Sequence, residues 1–188
     1  MKFRLAILLA IVVALPAAAR DFSSSISESD EITHLRPEFK APNEPNQLFY
    51  VQRSPNANTV VYAAKLDAQG NLDANTPVEA FWRKFNIDGS KQPLNFVERM
   101  MAYGVKIGAH KPPITFTIAS LPQRQLTLSM DAQHHPQATM AIGSHTVKVV
   151  YVYLQVVEGG LMPSVPSLDI FGIDVSTGKA IHEHLIQK

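Results

Sequence analysis

The stretch that decides the fold is LFYVQRSPNANTVVY, residues 48–62. Its two arms are rich in aromatic and β-branched side chains and contain no glycine, a composition that is typical of β-strands. Between the arms, Pro55 has the φ angle that the second position of a type I turn requires, and Asn58 tolerates the left-handed conformation that closes the turn. The stretch therefore predicts a β-hairpin, to which the following residues can add further strands.

The rest of the chain contains short strand-like runs separated by glycine, proline and asparagine. The longest run, TVKVVYVYLQVV at residues 146–157, has apolar side chains on both faces, which predicts a central strand. Residues 167–175 and 180–186 predict a last hairpin, with Gly178 at the left-handed position of its turn.

One helix is predicted, over residues 95–103. Asn95 is a suitable N-cap, Glu98 completes a capping box with it, and Gly104 is placed to end the helix. The apolar residues recur at helical spacing and form one narrow stripe that could pack on a sheet. This stripe consists of Phe96, Met100 and Tyr103.

These elements, about nine or ten short strands and one helix, predict a mainly β fold. The favoured architecture is an antiparallel β-sandwich or barrel with the helix packed on it. The alternative is an open α+β arrangement in which the helix covers one face of the sheet. We expect residues 47–188 to form this single globular domain, because their number is sufficient for a core of its own.

The first residues are typical of a secretory signal peptide. Two basic residues precede an apolar run over residues 5–15, which is short for a membrane-spanning helix, and Ala17 and Ala19 fit a cleavage site. We therefore expect export to remove residues 1–19. The product would be a periplasmic or secreted protein without a transmembrane segment.

Residues 20–46 differ in composition from the rest of the chain. They are rich in serine, proline and acidic residues and can bury little apolar surface. We expect a flexible leader, whose deletion would change the thermal stability of the domain little.

The composition excludes several classes of function. The chain has 17 basic and 16 acidic residues, and loss of the signal peptide would leave 15 basic residues. A net charge near zero provides no basic surface for nucleic acid or for an anionic membrane. The absence of cysteine excludes disulfides and thiolate metal sites, and no cofactor is expected.

Three motifs carry a resemblance to a known family. They are LFYVQRSPNANTVVYAAKL at residues 48–66, PVEAFWRKF at 77–85 and LNFVERMMAYGVKI at 94–107. These motifs resemble the exported bacterial family catalogued as domain of unknown function 4833, from residue 47 to the C-terminus. The resemblance implies export and a bacterial source, but it implies no activity, cofactor or site residue.

Charged residues beside apolar ones on the predicted strands and helix indicate a candidate site. They are Arg53, Glu79, Arg83, Glu98 and Arg99. Because an unpaired buried charge is costly, these side chains either form ion pairs that lock the helix onto the hairpin or line an anion-binding pocket with aromatic walls. The pocket would be formed by Arg53, Asn56, Asn58, Trp82, Arg99 and Tyr103.

Histidine offers a second candidate site. His182 and His184 point to the same face of the predicted last strand, as two ligands of a zinc or copper ion would, whereas alternation sends Glu183 to the opposite face. No carboxylate stands at a recognisable spacing from the pair. We therefore expect surface histidines rather than a metal site.

No catalytic signature stands out in the chain. It contains no nucleophile elbow, no zinc-protease motif and no phosphate-binding glycine loop. The sequence therefore favours a non-enzymatic domain that binds a small anionic or aromatic ligand, or an envelope protein as its partner. The alternative is a hydrolase or a metal-dependent enzyme that uses the histidines.

Overall fold

The computed structural model describes residues 22–29, 39–54, 56–157 and 164–188. The predicted signal peptide and Pro55 of the predicted turn lie outside these residues. The described strands are β1 (Phe22–Ser29), β2 (Gln47–Arg53), β3 (Asn56–Ala64), β4 (Val78–Arg83), β5 (Lys91–Pro93), β6 (Val105–Ala109), β7 (Ile114–Ile118), β8 (Leu121–Met130), β9 (Pro136–Ile142), β10 (His145–Val157), β11 (Ser164–Asp174) and β12 (Ala180–Gln187). A helix, α1 (Phe96–Glu98), continues into a π-helical turn, Arg99–Tyr103. No helix among the described residues has the length and apolar character that crossing a bilayer requires.

All twelve strands belong to one sheet. Its main path runs β5-β4-β3-β2-β10-β9-β8-β7-β6, and β11, β12 and β1 continue from β10. Strand β10 is the branch point of the sheet, because it pairs with β2, β9 and β11. The prediction of a central strand over residues 146–157 is confirmed, and so is the mainly β class.

The sheet curls into a half-barrel. The rings of Phe49 on β2 and Phe116 on β7 lie 6.4 Å apart, although three strands separate β2 from β7 in the sheet. The inner face carries the main apolar core, in which Phe49 stacks on Tyr62 with ring centroids 4.5 Å apart. The outer face carries a smaller apolar cluster around Tyr50 and Tyr151.

One strand pair corrects the prediction of an antiparallel sheet. Strands β2 and β10 run parallel, with Tyr50 opposite Tyr151 and Arg53 opposite Leu154. The other pairings between the described strands are antiparallel. Because β2 and β10 are not joined by a hairpin, no tight turn dictates their relative direction.

The predicted helix is shorter and less buried than expected. Its capping box is confirmed, because the Asn95 side chain accepts a hydrogen bond from the Glu98 N–H and the Glu98 carboxylate accepts one from the Asn95 N–H. Only three residues are α-helical, and the following turn has π geometry, which breaks the i, i+4 spacing of the apolar stripe. The predicted packing of this stripe is therefore wrong. Phe96 and Met100 are 68% and 51% exposed, and Tyr103 is the buried member.

The described parts of the predicted leader contact the sheet. Strand β1 pairs along its whole length with β12. Further on, Glu44 forms an ion pair with Arg83, and the Gln52 amide donates hydrogen bonds to the carbonyls of Phe39 and Lys40. Backbone hydrogen bonds at a sheet edge form without burial of apolar side chains, so the composition of residues 20–46 did not indicate strand β1. The domain boundary at residue 47 stays a prediction.

The predicted last hairpin is confirmed. Strands β11 and β12 pair antiparallel, and Gly178 has a φ angle of 73° in the connecting turn. The Asp174 carboxylate fixes this turn by accepting hydrogen bonds from the N–H groups of Ser176 and Thr177. This hairpin sets the register of the candidate metal ligands described below.

Candidate ligand and metal sites

Three of the predicted site residues meet on the inner face of the sheet, together with a lysine. Arg53 ends β2, Trp82 lies in β4 and Tyr103 ends the π-helical turn. The rings of Trp82 and Tyr103 meet edge to face, with their centroids 5.1 Å apart. The Arg53 guanidinium lies 5.4 Å from the centroid of the Trp82 ring, and the Lys84 ammonium lies 4.2 Å from it. We call Arg53, Trp82, Lys84 and Tyr103 the tryptophan cluster.

The tryptophan cluster carries two cations and two unused donors. The Nε of Arg53 and the Nε1 of Trp82 are buried and have no hydrogen-bond partner among the described residues. Burial raises the pKa of the Tyr103 phenol, although the Arg53 charge and its hydrogen bond to the phenol oppose this rise. The Glu98 carboxylate also lies near Tyr103, but it accepts the hydrogen bond of the Asn95 N–H. The cluster therefore holds two buried N–H groups that have no acceptor among the described residues.

The other three predicted ligand-binding residues lie outside the tryptophan cluster. The Asn56 side chain accepts a hydrogen bond from the Asn58 N–H, and the Asn58 side chain accepts one from the Asn86 N–H. These two amides therefore join the β2–β3 turn to the segment that follows β4. Arg99 is exposed on the π-helical turn, and its side chain forms no hydrogen bond or ion pair with the rest of the described chain.

The predicted ion-pair lock between helix and hairpin is absent from the described residues. Arg83 pairs instead with Glu44, and Glu79 pairs with Lys91 at 3.0 Å. No carboxylate of the described residues forms an ion pair with Arg53. Among the described residues, Arg53 therefore takes no part in such a lock, and its neighbours are Trp82 and Tyr103.

Sequence reasoning missed Lys84, although the pattern of the strand contained the signal. Residues two apart on a strand point to the same face, so Lys84 follows Trp82 onto the inner side of the sheet. The side chain of Lys84 lies over the Trp82 ring although the strand ends at Arg83.

The histidine pair acquires a carboxylate from the neighbouring strand. His182 Nε2 and His184 Nδ1 each lie 2.7 Å from the same oxygen of Asp169, Oδ1. Asp169 is opposite His184 in the β11–β12 ladder, and His182 is two residues back on the same face. We call Asp169, His182 and His184 the His–Asp cluster. The hydrogen bonds from both histidines lower the pKa of Asp169, although burial, the largest single influence, raises it.

A ladder of stacked rings leads across the outer face to this cluster. Tyr50 stacks on Tyr151 at 5.4 Å, Tyr151 on Phe171 at 4.4 Å, and Phe171 on His182 at 4.4 Å, measured between ring centroids. The planes of Phe171 and His182 differ by only 1°. The ladder therefore fixes the orientation of the His182 imidazole.

Sequence reasoning missed Asp169, because it searched for carboxylates by spacing along the chain. The register of the predicted last hairpin contained the signal, since antiparallel pairing around its turn places Asp169 on the same face as the histidines. The predicted position of Glu183 on the opposite face is confirmed. Glu183 is 2% exposed and forms an ion pair with Arg124.

The remaining described histidines lie at other places. His145 Nδ1 lies 2.7 Å from the Asp174 carboxylate, and His110 Nδ1 lies 3.1 Å from the Ala74 carbonyl oxygen. His135 lies 3.7 Å from Asp131 in the β8–β9 turn. None of these three joins the His–Asp cluster, and neither does His134, which lies beside His135 in the same turn.

The curled sheet with its two side-chain clusters defines a mainly β domain with two candidate sites. Residues 49–184 match the family described as domain of unknown function (DUF4833), and the chain belongs to this family. The resemblance carried by the three sequence motifs is thereby confirmed. The match extends from β2 to β12 and includes every residue of both clusters. No curated protein and no solved structure gives a significant match to the chain.

Proposed function

We propose that this protein is a non-enzymatic, exported domain that binds a small anionic ligand at the tryptophan cluster. The observation that carries the proposal is the pair of cations, Arg53 and Lys84, that flank one aromatic ring whose own N–H has no hydrogen-bond partner in the described part of the chain. A ligand with a carboxylate or phosphate group next to an aromatic or apolar part fits this chemistry best.

The chemistry of the donors supports an anion rather than a cation. Arginine, lysine and the indole N–H can only donate hydrogen bonds, so their natural partner is an acceptor. A guanidinium beside an aromatic ring suits carboxylate and phosphate groups, which it can bind with two parallel hydrogen bonds. The edge-to-face pair of Trp82 and Tyr103, only 3% and 7% exposed, would form the apolar base of the site beneath the ligand.

The predicted signal peptide supports the exported location. Its basic start, short apolar run and alanine-rich end lie at residues 1–19, outside the described residues. N-terminal sequencing of the exported protein should find a chain that begins near Arg20. An intact Met1 on the exported protein would refute this part of the proposal.

The single tryptophan of the chain provides the binding test. We expect the fluorescence of Trp82 to change saturably with phenyl phosphate or benzoate, and to remain unchanged with benzyl alcohol, which has the ring without the charge. Arg53→Gln should weaken the binding of these anions about ten-fold or more, because a charge-assisted hydrogen bond is lost. Circular dichroism should show that the variant is folded.

Arg99→Gln is the matched control, because it removes an arginine that lies outside the tryptophan cluster. This variant should bind phenyl phosphate and benzoate with unchanged affinity, whereas the pocket predicted from the sequence, which includes Arg99, would predict weaker binding. Equal binding of charged and neutral probes, or equal affinity of Arg53→Gln and the unmodified protein, would contradict the proposal.

A further inference from the structure

We propose that the His–Asp cluster is a binding site for a divalent transition metal ion, with Zn²⁺ as the ion that suits it best. This site lies on the outer face of the sheet, and it is independent of the anion site that we place at the tryptophan cluster on the inner face. The proposal rests on the position of three ligand atoms, on their chemistry and on their support by neighbouring residues.

The three ligand atoms already converge. One nitrogen of each histidine and a carboxylate oxygen of Asp169 lie within 4.8 Å of one another. Both nitrogens are 2.7 Å from Oδ1 of Asp169. In a tetrahedral zinc site, ligand atoms about 2.1 Å from the ion lie about 3.4 Å from each other. Each nitrogen would therefore need to move only about 0.7 Å away from Oδ1, which small side-chain rotations can supply.

The ligand set selects the class of metal. Two imidazole nitrogens with one carboxylate oxygen suit zinc and its neighbours in the first transition series, whereas calcium and magnesium prefer oxygen ligands alone. The chain has no cysteine, so thiolate cannot contribute to any site of this protein. Three protein ligands leave at least one coordination position for water or another small molecule.

The surroundings hold these ligands in place while leaving the site accessible. The His182 ring is stacked on Phe171, which limits its rotation. The paired strands β11 and β12 fix Asp169 opposite His184. The side chains of His182 and His184 are 37% and 35% exposed, and that of Asp169 is 20% exposed. An ion can therefore reach the site from solvent without any opening of the fold.

The decisive experiment is a zinc titration of untagged protein. The full exported chain is treated with a chelator, dialysed and titrated with ZnCl₂ by calorimetry, and the bound metal is counted by elemental analysis. We expect one zinc ion per chain, and a rise in melting temperature with zinc concentration, because binding to the folded state alone stabilises it. CaCl₂ and MgCl₂ should produce neither effect.

Asp169→Asn and His184→Gln should each weaken zinc binding by at least about ten-fold, because each removes a direct ligand of the ion. His135→Gln is the matched control, since it removes an exposed histidine that also lies beside an aspartate, and it should bind zinc like the unmodified protein. Circular dichroism should confirm that each variant is folded. If one of the two ligand variants does not fold, His182→Gln is tested in its place.

The absorption spectrum of a cobalt-substituted sample reports on the metal ligands directly, and it would not change if Asp169 only supported the fold. Co²⁺ should give visible absorption bands of a low-coordinate site with nitrogen and oxygen ligands, and these bands should be lost in Asp169→Asn. Failure of the unmodified protein to bind zinc stoichiometrically would overturn the proposal. Binding that persists undiminished in Asp169→Asn and His184→Gln would overturn it equally, because the ion would then lie elsewhere. Neither result depends on anion binding at the tryptophan cluster.

Discussion

At the scale of single residues, Arg53 on β2 and Arg83 on β4 have different roles. Arg83 forms a two-point ion pair with Glu44, whereas Arg53 has no carboxylate partner among the described residues. Glu44→Gln is therefore expected to lower the free energy of unfolding by about 2 kcal/mol, because a partly buried guanidinium loses its charged partner. Arg53→Gln should leave the melting temperature nearly unchanged.

Thermal denaturation of the two variants measures this difference directly. Glu79→Gln is a suitable control, because the Glu79–Lys91 pair is more exposed and should contribute little. A large loss of stability in Arg53→Gln would mean that this arginine is structural, and it would remove the main support for the anion site.

Asp174 should make the stability depend on pH in the acid range. Its carboxylate accepts hydrogen bonds from the Ser176 hydroxyl and from the backbone of Ser176 and Thr177, and His145 lies 2.7 Å away. These interactions hold the pKa of Asp174 far below its usual range. When the pKa of a carboxyl group is lower in the folded than in the unfolded state, its charge stabilises the fold, and this contribution is complete above the unfolded pKa of about 3.9. The contribution is lost as the pH falls through the folded pKa.

We therefore expect the melting temperature to fall as the pH is lowered from about 4 towards 2. Asp174→Asn should be less stable than the unmodified protein at pH 7, and the difference between them should shrink over this acid range. Melting curves at a series of pH values test the expectation. A difference that stays constant from pH 7 to pH 2 would show that the charge of Asp174 does not contribute.

At the scale of elements, the end of the π-helical turn depends on close packing at Gly104. A Cβ atom at this position would clash with the Arg99 carbonyl oxygen, while the φ angle of Gly104, −66°, is open to any residue. The glycine is therefore required for space rather than for a special conformation. Gly104→Ala should lower the free energy of unfolding by at least about 3 kcal/mol, because backbone must move.

Gly70→Ala is the matched control for this substitution. Gly70 has a φ angle of 84°, but an added methyl group would meet nothing within 4 Å. Its replacement should cost only about 1 kcal/mol, through backbone strain alone. Chemical denaturation measures both free energies, and equal losses in the two variants would contradict the packing explanation.

The pairing of edge strand β1 predicts that deletion of residues 20–46 destabilises the domain, whereas their composition predicts little effect. Deletion of residues 20–46 removes β1 from the edge of β12 and leaves Arg83 without Glu44. We expect the melting temperature of the deletion variant to fall by about 5 °C or more, since backbone pairing and an ion pair are both lost. An unchanged melting temperature would support the flexible leader instead.

At the scale of the whole molecule, the features that depend on neighbouring residues were predictable and those that depend on distant pairing were not. The capping box of Asn95 and the turn at Gly178 follow from short-range chemistry, and the sequence indicated both. The parallel pairing of Tyr50 with Tyr151 joins residues about 100 positions apart, where no local pattern sets direction.

The candidate sites divide in the same way. Alternation along a single strand placed His182 with His184, and the same rule, had it been applied to β4, would have placed Lys84 with Trp82. The meeting of Arg53 with Trp82 requires the order of three strands, and the meeting of Asp169 with the histidines requires the register of two. Strand order and register are properties of the assembled sheet, so the composition of each strand could not reveal them.

The pairing of β1 with β12 brings the first and last described strands side by side, with Phe22 opposite Gln187. In a chain shortened to begin at Phe22, a short peptide linker could therefore join this residue to the end of β12, and new ends could be opened at residues 68–70, in the exposed loop between β3 and β4. Such a circular permutant would keep every strand pair of the sheet while changing the order in which the strands are synthesised.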